Sequence, residues 1–334
     1  MPTPHPALES SAHLLVPFAS ASAPECQSAL PGLVLPNLDK LLREMRPDPA
    51  FERVAGDEHS LSPPHERELA LALGLCGGDG APYGDGLIPW AAAQSDAPGT
   101  PQAWFSPCHF QVGMEQVSLL PGEQIALDAA QSRTLFDALA PYCAEDGIQL
   151  RFESPTRWHA TSELFRQLTS ASLDRVSGRQ VDAWLAPSPA HPTGQLTLTR
   201  LQSEAQMLFY NHPVTDERMA HGLLPVNGFW VHGAGAHTGA QALHAPPHMP
   251  DALRQAALRT DWSAWSQAWA ALDATLIPPL LQRVLAGEAA TLTLCGERRA
   301  QRWIHAPRSA TARLGRRLQQ WMGTKPVWKI LEDL

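Results

Sequence analysis

The sequence is short of charge, and the charge it has is not basic. Of 334 residues only 17% are charged, with 25 Lys and Arg against 33 Asp and Glu, a net of −8. Such a chain has no general attraction for phosphate backbones, so nucleic acid is not expected as a partner. One basic stretch stands apart, RRAQRWIHAPRSATARLGRR (Arg298 to Arg317); it reads either as a solvated helix face or as a contact for an acidic partner. No apolar run approaches membrane length. The opening MPTPHPALESSAHLLVPFASASA has no basic n-region and is broken at Pro17, so neither a span nor a signal peptide is expected. Five cysteines (Cys26, Cys76, Cys108, Cys143, Cys295) make an odd, widely spaced set without a C-x-x-C pair, which predicts reduced thiols and a cytoplasmic location. No internal repeat is present.

Catalytic signatures are equally sparse. Without a G-x-S-x-G elbow, a Ser-His-Asp hydrolase is poorly supported. Gly233 and Gly235 in WVHGAGAHTG begin a G-x-G, but the third glycine of a nucleotide fingerprint is missing; phosphate cradling without a nucleotide stays open. His232, His237, His244 and His248 are five, seven and four apart, which matches no compact metal pattern and no H-E-x-x-H helix. No metal and no cofactor are expected. Cys108 beside His109 reads as a packed residue or a reactive thiol. DEHSLSPPHERE (Asp57 to Glu68) reads as a metal or nucleophile site, or as a capped helix start.

What is abundant is core material, at 44% hydrophobic residues. A chain of this length fits two domains. HLLVPFA (His13 to Ala19) predicts a buried strand, PNLDKLLREM (Pro36 to Met45) a helix, and SPPHERELALALGL (Ser62 to Leu75) a helix capped by Ser62. AQSDAPGTPQ (Ala93 to Gln102) is polar and turn-forming, and a domain boundary is placed there. FQVGMEQVSLL (Phe110 to Leu120) is strand material, Ala126 to Gly147 a helix, and IQLRFES (Ile148 to Ser154) alternates as a half-buried strand does. A strand over Gly178 to Pro187 and a helix over Leu198 to His212 follow. Asp261 to Gly287 is a tryptophan-rich helical stretch interrupted at Pro278 and Pro279, with Trp262, Trp265 and Trp269 spaced for core packing; ATLTLCGE (Ala290 to Glu297) is a strand of central character. The expected organisation is an α/β domain of residues 1–100 and 229–334, interrupted by an α+β, ferredoxin-like domain of residues 101–228.

Two loops gather groups suited to an oxyanion. SPTRWHATSE places Arg157 and His159 directly after a strand, and an Arg fork with a neighbouring His suits carboxylate or phosphate. Arg218, Asn227 and His232 fall in a second loop, YNHPVTDERMAHGLLPVNGFWVHGAGAHTG (Tyr210 to Gly239), and Trp230 is placed there as a cleft wall.

Several segments, in order, resemble the archaeal-type cofactor-independent phosphoglycerate mutases of the alkaline-phosphatase superfamily, and more closely the bacterial RpfE-type regulatory proteins related to them. They are LPGLVLPNLDKLL, SPCHFQV with the helix and IQLRFESPTRWH after it, and HPVTDERMAHGLLPVNGFWVHGAG. The resemblance implies an alkaline-phosphatase-like sheet with helices on both faces. It also implies substrate contacts by Arg157, His159 and Arg218, with Tyr210 to Gly239 as the seam where the insertion rejoins the main sheet. Those mutases end their first strand in D-G-x-x-D and a late strand in Asp-His; here the corresponding strands read LLVPFASAS and LTLCGE, with Gly296 and Glu297, and Thr215 replaces an Asn. Without those ligands Ser60 and Ser62 have ordinary hydroxyls. The expectation is a non-catalytic regulatory protein that binds a small anionic metabolite or a protein partner. The alternatives are an enzyme with relocated ligands from Asp57, His59, His65 or His232, and a purely structural interaction module.

Overall fold

The computed structural model describes residues 12–51, 57, 59–113, 116–184, 192–239, 243–305 and 325–334. In chain order they form β1 (His13–Val16), α1 (Pro24–Ala29), α2 (Pro36–Glu44), β2 (Arg46–Pro47), α3 (Pro64–Leu73) and α4 (Trp90–Ala93). Next come β3 (Gln102–Val112), β4 (Val117–Pro121), α5 (Ala129–Glu145), β5 (Gln149–Ser154), β6 (Arg157–Thr161), α6 (Leu173–Val176), α7 (Pro192–Tyr210), α8 (Pro213–Ala220) and β7 (Gly228–Gly235). The remainder is α9 (Ala252–Leu258), α10 (Trp262–Thr275), α11 (Ile277–Leu285), β8 (Ala290–Cys295), β9 (Ala300–His305) and α12 (Val327–Glu332). The chain is an α/β protein with two separate sheets. Its contacts divide it into two units, one of Met1–Glu58, Pro63–Gly74 and Leu243–Leu334, the other of His59–Ser62 and Leu75–Ala242. That division groups residues 75–100 and 229–242 with the inserted segment.

In the first unit the sheet order is β1-β8-β9-β2, with β1 parallel to β8 and the other pairs antiparallel. Leu14, Val16, Leu292 and Leu294 meet Leu38 and Leu41 of α2, Trp265 and Trp269 of α10, and Leu280 and Val284 of α11 in one core. The tryptophan spacing puts two indoles inward, and each satisfies its N–H on the chain after β1: Trp265 donates to the Phe18 carbonyl at 2.9 Å and Trp269 to that of Ala19 at 3.3 Å. Helix α2 has no cap of its own, and Asp273 of α10 supplies one by accepting from the Leu38 and Asn37 backbone N–H groups at 2.7 and 3.2 Å. The expected break at Pro278 and Pro279 falls in the first turn of α11, where proline loses no helical bond.

In the second unit β3 is the long central strand. β7 pairs along one edge, and β6 and then β4 share the other, with β5 outside β6. One face carries Ala103, Phe105, Trp158, Ala160, Phe229 and Val231 against Leu135, Phe136 and Leu139 of α5 and Leu198, Leu201 and Ala205 of α7. Helix α5 starts where Asp128 accepts from the Gln131 backbone N–H at 2.9 Å.

Three expectations are corrected. The segment from Gly178 is not a strand: it makes one isolated bridge, Ser118 to Gln180, and a 3-10 turn over Asp182–Trp184, while 185–187 lie outside the described residues. Val181 there turns inward and is buried among apolar neighbours, so alternation gives way to a turn. Ser62 does not cap α3; Pro63 precedes the helix without a side-chain bond, and the Ser62 hydroxyl accepts from the Gly86 backbone N–H at 2.9 Å. The start of the basic stretch is strand β9, not a helix face, and residues 306–317 lie outside the described residues.

Candidate functional site

The other face of the second unit's sheet is apolar at one end, where Cys108, Leu119 and Trp230 are buried, and polar at the other, and strand register builds the polar end. Arg151 of β5 is opposite His159 of β6, His159 is opposite Trp104 of β3, and Trp104 is opposite His232 of β7. Directly opposed residues share a face, so these four form one row across the sheet. Gln149, Thr161 and Gln102 form the next row. The alternation that buries Phe105 and Trp158 on one side therefore presents Trp104 and His159 on the other.

Arg151, His159, Gln149, Leu150, Thr161 and Gln102 line a cleft of about 420 Å³ together with residues 94–97, including Asp96, and Thr100. That size falls within the roughly 300–1,000 Å³ of small-molecule sites. His159 is only 7% exposed, and its Nε2 has no hydrogen-bond partner among the described residues. Burial first, then the Arg151 guanidinium, pushes its pKa below the ordinary value; Glu153 pulls the other way and Arg157 adds a smaller push. Gln102 is 2% exposed. Its amide nitrogen faces Ser95 Oγ at 2.8 Å and the carbonyls of Ala97 and Thr100 at 2.7 and 3.2 Å, so the amide cannot be turned over. That leaves Oε1 buried and without a partner among the described residues. Arg151 and Asp96 are exposed, and neither forms an ion pair among the described residues.

The other site residues expected from sequence are placed differently. Arg157 is half-exposed, pairs with Glu153 at 2.5 Å and lies over the Trp104 ring at 4.5 Å. Arg218 is fully buried and its guanidinium is spent on the carbonyls of Leu224, Ala126 and Ile125 and on Gln131 Oε1. Asn227 prolongs the β3–β7 ladder, its side-chain amide accepting from the Phe110 N–H at 2.7 Å and donating to the Phe110 carbonyl at 2.9 Å. Trp230 is buried and donates to the Ala171 carbonyl at 2.9 Å. His232 contacts Ser106 Oγ at 2.9 Å and packs on Trp104; desolvation lowers its pKa to about 4. Only His159 of this set lines the cleft. Arg151 and Asp96 were not singled out from sequence, though the alternation of IQLRFES places Arg151 beside Gln149 and Glu153, and Asp96 with Gln102 lies in the stretch read as a linker.

The glycines of WVHGAG serve packing. Gly233 has φ +63°, and a Cβ there would stand 3.0 Å from the Trp104 ring and 3.2 Å from Trp90 Cβ; at Gly235 it would stand 2.9 Å from Pro89. Tyr210 to Gly239, expected as a loop, instead contains α8, opened by His212 accepting from the Val214 N–H, and strand β7. Cys108 is buried, which pushes its thiol well above the ordinary range and makes it inert packing.

The positions that the mutase resemblance assigns to metal ligands do not fit a paired divalent site. β1 and β8 run parallel with Val16 opposite Leu294, so their ends are neighbours. They continue as Pro17, Phe18, Ala19 and Ser20, and as Gly296 and Glu297. Any side chain at Gly296 would meet Leu334 at 2.6 Å, and Glu297 accepts from the Ser22 backbone N–H at 2.7 Å and from its hydroxyl. One engaged carboxylate does not balance two cations. Of the alternative ligand set, Asp57 is exposed and His59 packs against Trp184 at 6.2 Å. His65 packs at a tilt against Phe18, ring centroids 5.3 Å apart, and, with Glu66, brings an imidazole nitrogen and a carboxylate oxygen within 4.8 Å.

No protein-family model matches the chain, and no curated protein matches it. Among solved structures it is similar to the cofactor-independent phosphoglycerate mutase of Thermoplasma acidophilum, at 12% identity over 89% of this chain and 90% of that one, with a TM-score of 0.31. It is also similar to the PH0037 protein of Pyrococcus horikoshii, at 11% identity over 89% of this chain and 87% of that one, with a TM-score of 0.44. This is a distant phosphoglycerate-mutase-like likeness, and at these values it carries no argument about ligand or activity. No helix among the described residues is long and apolar enough to cross a membrane.

Proposed function

We propose that the chain is a non-catalytic regulatory protein, phosphoglycerate-mutase-like and of the RpfE type, that works in the cytoplasm by binding a small organic anion in the polar cleft of β5 and β6. The observation that carries this reading is the buried Nε2 of His159 beside Arg151, the first without a hydrogen-bond partner and the second without an ion pair among the described residues. An unsatisfied buried polar atom costs about 1–3 kcal/mol, and a carboxylate or phosphate oxygen accepting from both groups recovers it. Arg157, held by Glu153 over Trp104, shapes the row without spending its charge on the ligand.

A thermal-shift screen with simple carboxylic acids and phosphorylated three-carbon acids tests it. Stability should rise with ligand concentration in the native protein and not in Arg151→Ala. An unchanged response in that variant removes Arg151 from the site. Because His65 and Glu66 offer two ligand atoms, metal content is measured on the same preparation. Stoichiometric manganese or zinc together with phosphoglycerate turnover would overturn the non-catalytic reading.

A further inference from the structure

The cleft is not simply cationic. Arg151 and Asp96 both line it, both are exposed, and neither is paired with the other or with any described residue, so the two formal charges cancel without touching. Its buried floor also offers an acceptor: among the described residues Gln102 Oε1 has no partner, while the same amide's nitrogen faces three acceptors. A plain anion meets Arg151 and His159 but sets a second negative charge near Asp96 and leaves Gln102 Oε1 unsatisfied. Each is a cost. A ligand that also carries an ammonium group removes both, because its three N–H donors suit an acceptor oxygen and a carboxylate.

We infer that the cleft selects a zwitterion of the α-amino-acid class, its carboxylate on Arg151 and His159 Nε2 and its ammonium group on Gln102 Oε1 and Asp96. This rests on the anion reading above and narrows it.

Calorimetric titration of the full chain with the twenty common L-α-amino acids, and with the 2-hydroxy analogue of each one that binds, tests the inference. At least one amino acid should bind, its hydroxy analogue at least tenfold more weakly. Asp96→Asn should weaken the amino acid at least tenfold and tighten the hydroxy acid, whereas Arg151→Ala should lose both. Both side chains are exposed, so circular dichroism of the variants should match the native protein. Equal affinity for amino and hydroxy acids, or an Asp96→Asn variant that binds the amino acid as well as the native chain, overturns the inference. If Arg151→Ala still abolishes binding in that case, the anion reading survives. If no amino acid binds, the inference is overturned, and the thermal-shift screen with carboxylic and phosphorylated acids decides the anion reading separately.

Discussion

His159 and Arg151 stand opposite one another across the β5–β6 ladder, so among the described residues a guanidinium without an ion pair lies beside a buried imidazole that lacks a partner at Nε2. Most cationic neighbours in a folded protein are separated or neutralised. Here burial first, and then this juxtaposition, lower the imidazole's pKa.

The first prediction concerns that coupling. Removing the charge in Arg151→Ala should raise the His159 pKa towards its ordinary value without reaching it, because burial, the larger cause, remains. Glu153→Gln should move it the other way. A histidine-resolved NMR pH titration reads both shifts, and an unmoved His159 in both variants contradicts the placement.

Stability should fall with acid in a defined window. His13 and His232 both have folded-state pKa values lowered to about 4, mainly by burial, while the unfolded chain protonates near the ordinary 6.5. Their contribution is fully present above 6.5 and is lost as pH falls towards 4, since the unfolded state then binds more protons. After discounting for partial exposure, roughly 1–2 kcal/mol each is expected. Glu68, raised by burial, acts in the opposite direction and shallows the fall. Urea midpoints at pH 7, 5.5 and 4 check this, and His232→Gln should reduce the slope.

Arg218 should be essential to folding and irrelevant to ligand. Its guanidinium satisfies three carbonyls and an amide oxygen from full burial. Arg218→Ala strands several of them and should cost about 3 kcal/mol or more. Arg218→Lys, which keeps the charge but loses the fork, should fold with reduced stability and bind the cleft ligand as the native protein does. Weakened ligand affinity in a folded Arg218→Lys would place the residue back in the site.

Much of the scaffold was legible because local patterns decided it. Alternation marked β5, the spacing of Trp265 and Trp269 marked a buried helix face, and paired prolines marked the start of α11. The site was harder to read, since its groups come from strands whose register no local pattern fixes. Arg157 and Arg218 look alike in the sequence as charged residues near turns; only the fold shows one stacked on Trp104 and the other sealed among carbonyls. Asn227 resembles a ligand residue until its amide is seen replacing a strand's hydrogen bonds. The segment from Gly178 reads as a further strand in the sequence, but only a single bridge forms there.

The most direct measurement is the histidine NMR spectrum of the native protein with and without a saturating acid taken from the thermal-shift screen. Binding should shift the His159 Nε2 resonance and raise that residue's pKa, while His232, held by Ser106, stays in place. A ligand that binds tightly and leaves the His159 signal untouched would mean that the cleft of β5 and β6 is not where this protein holds its anion.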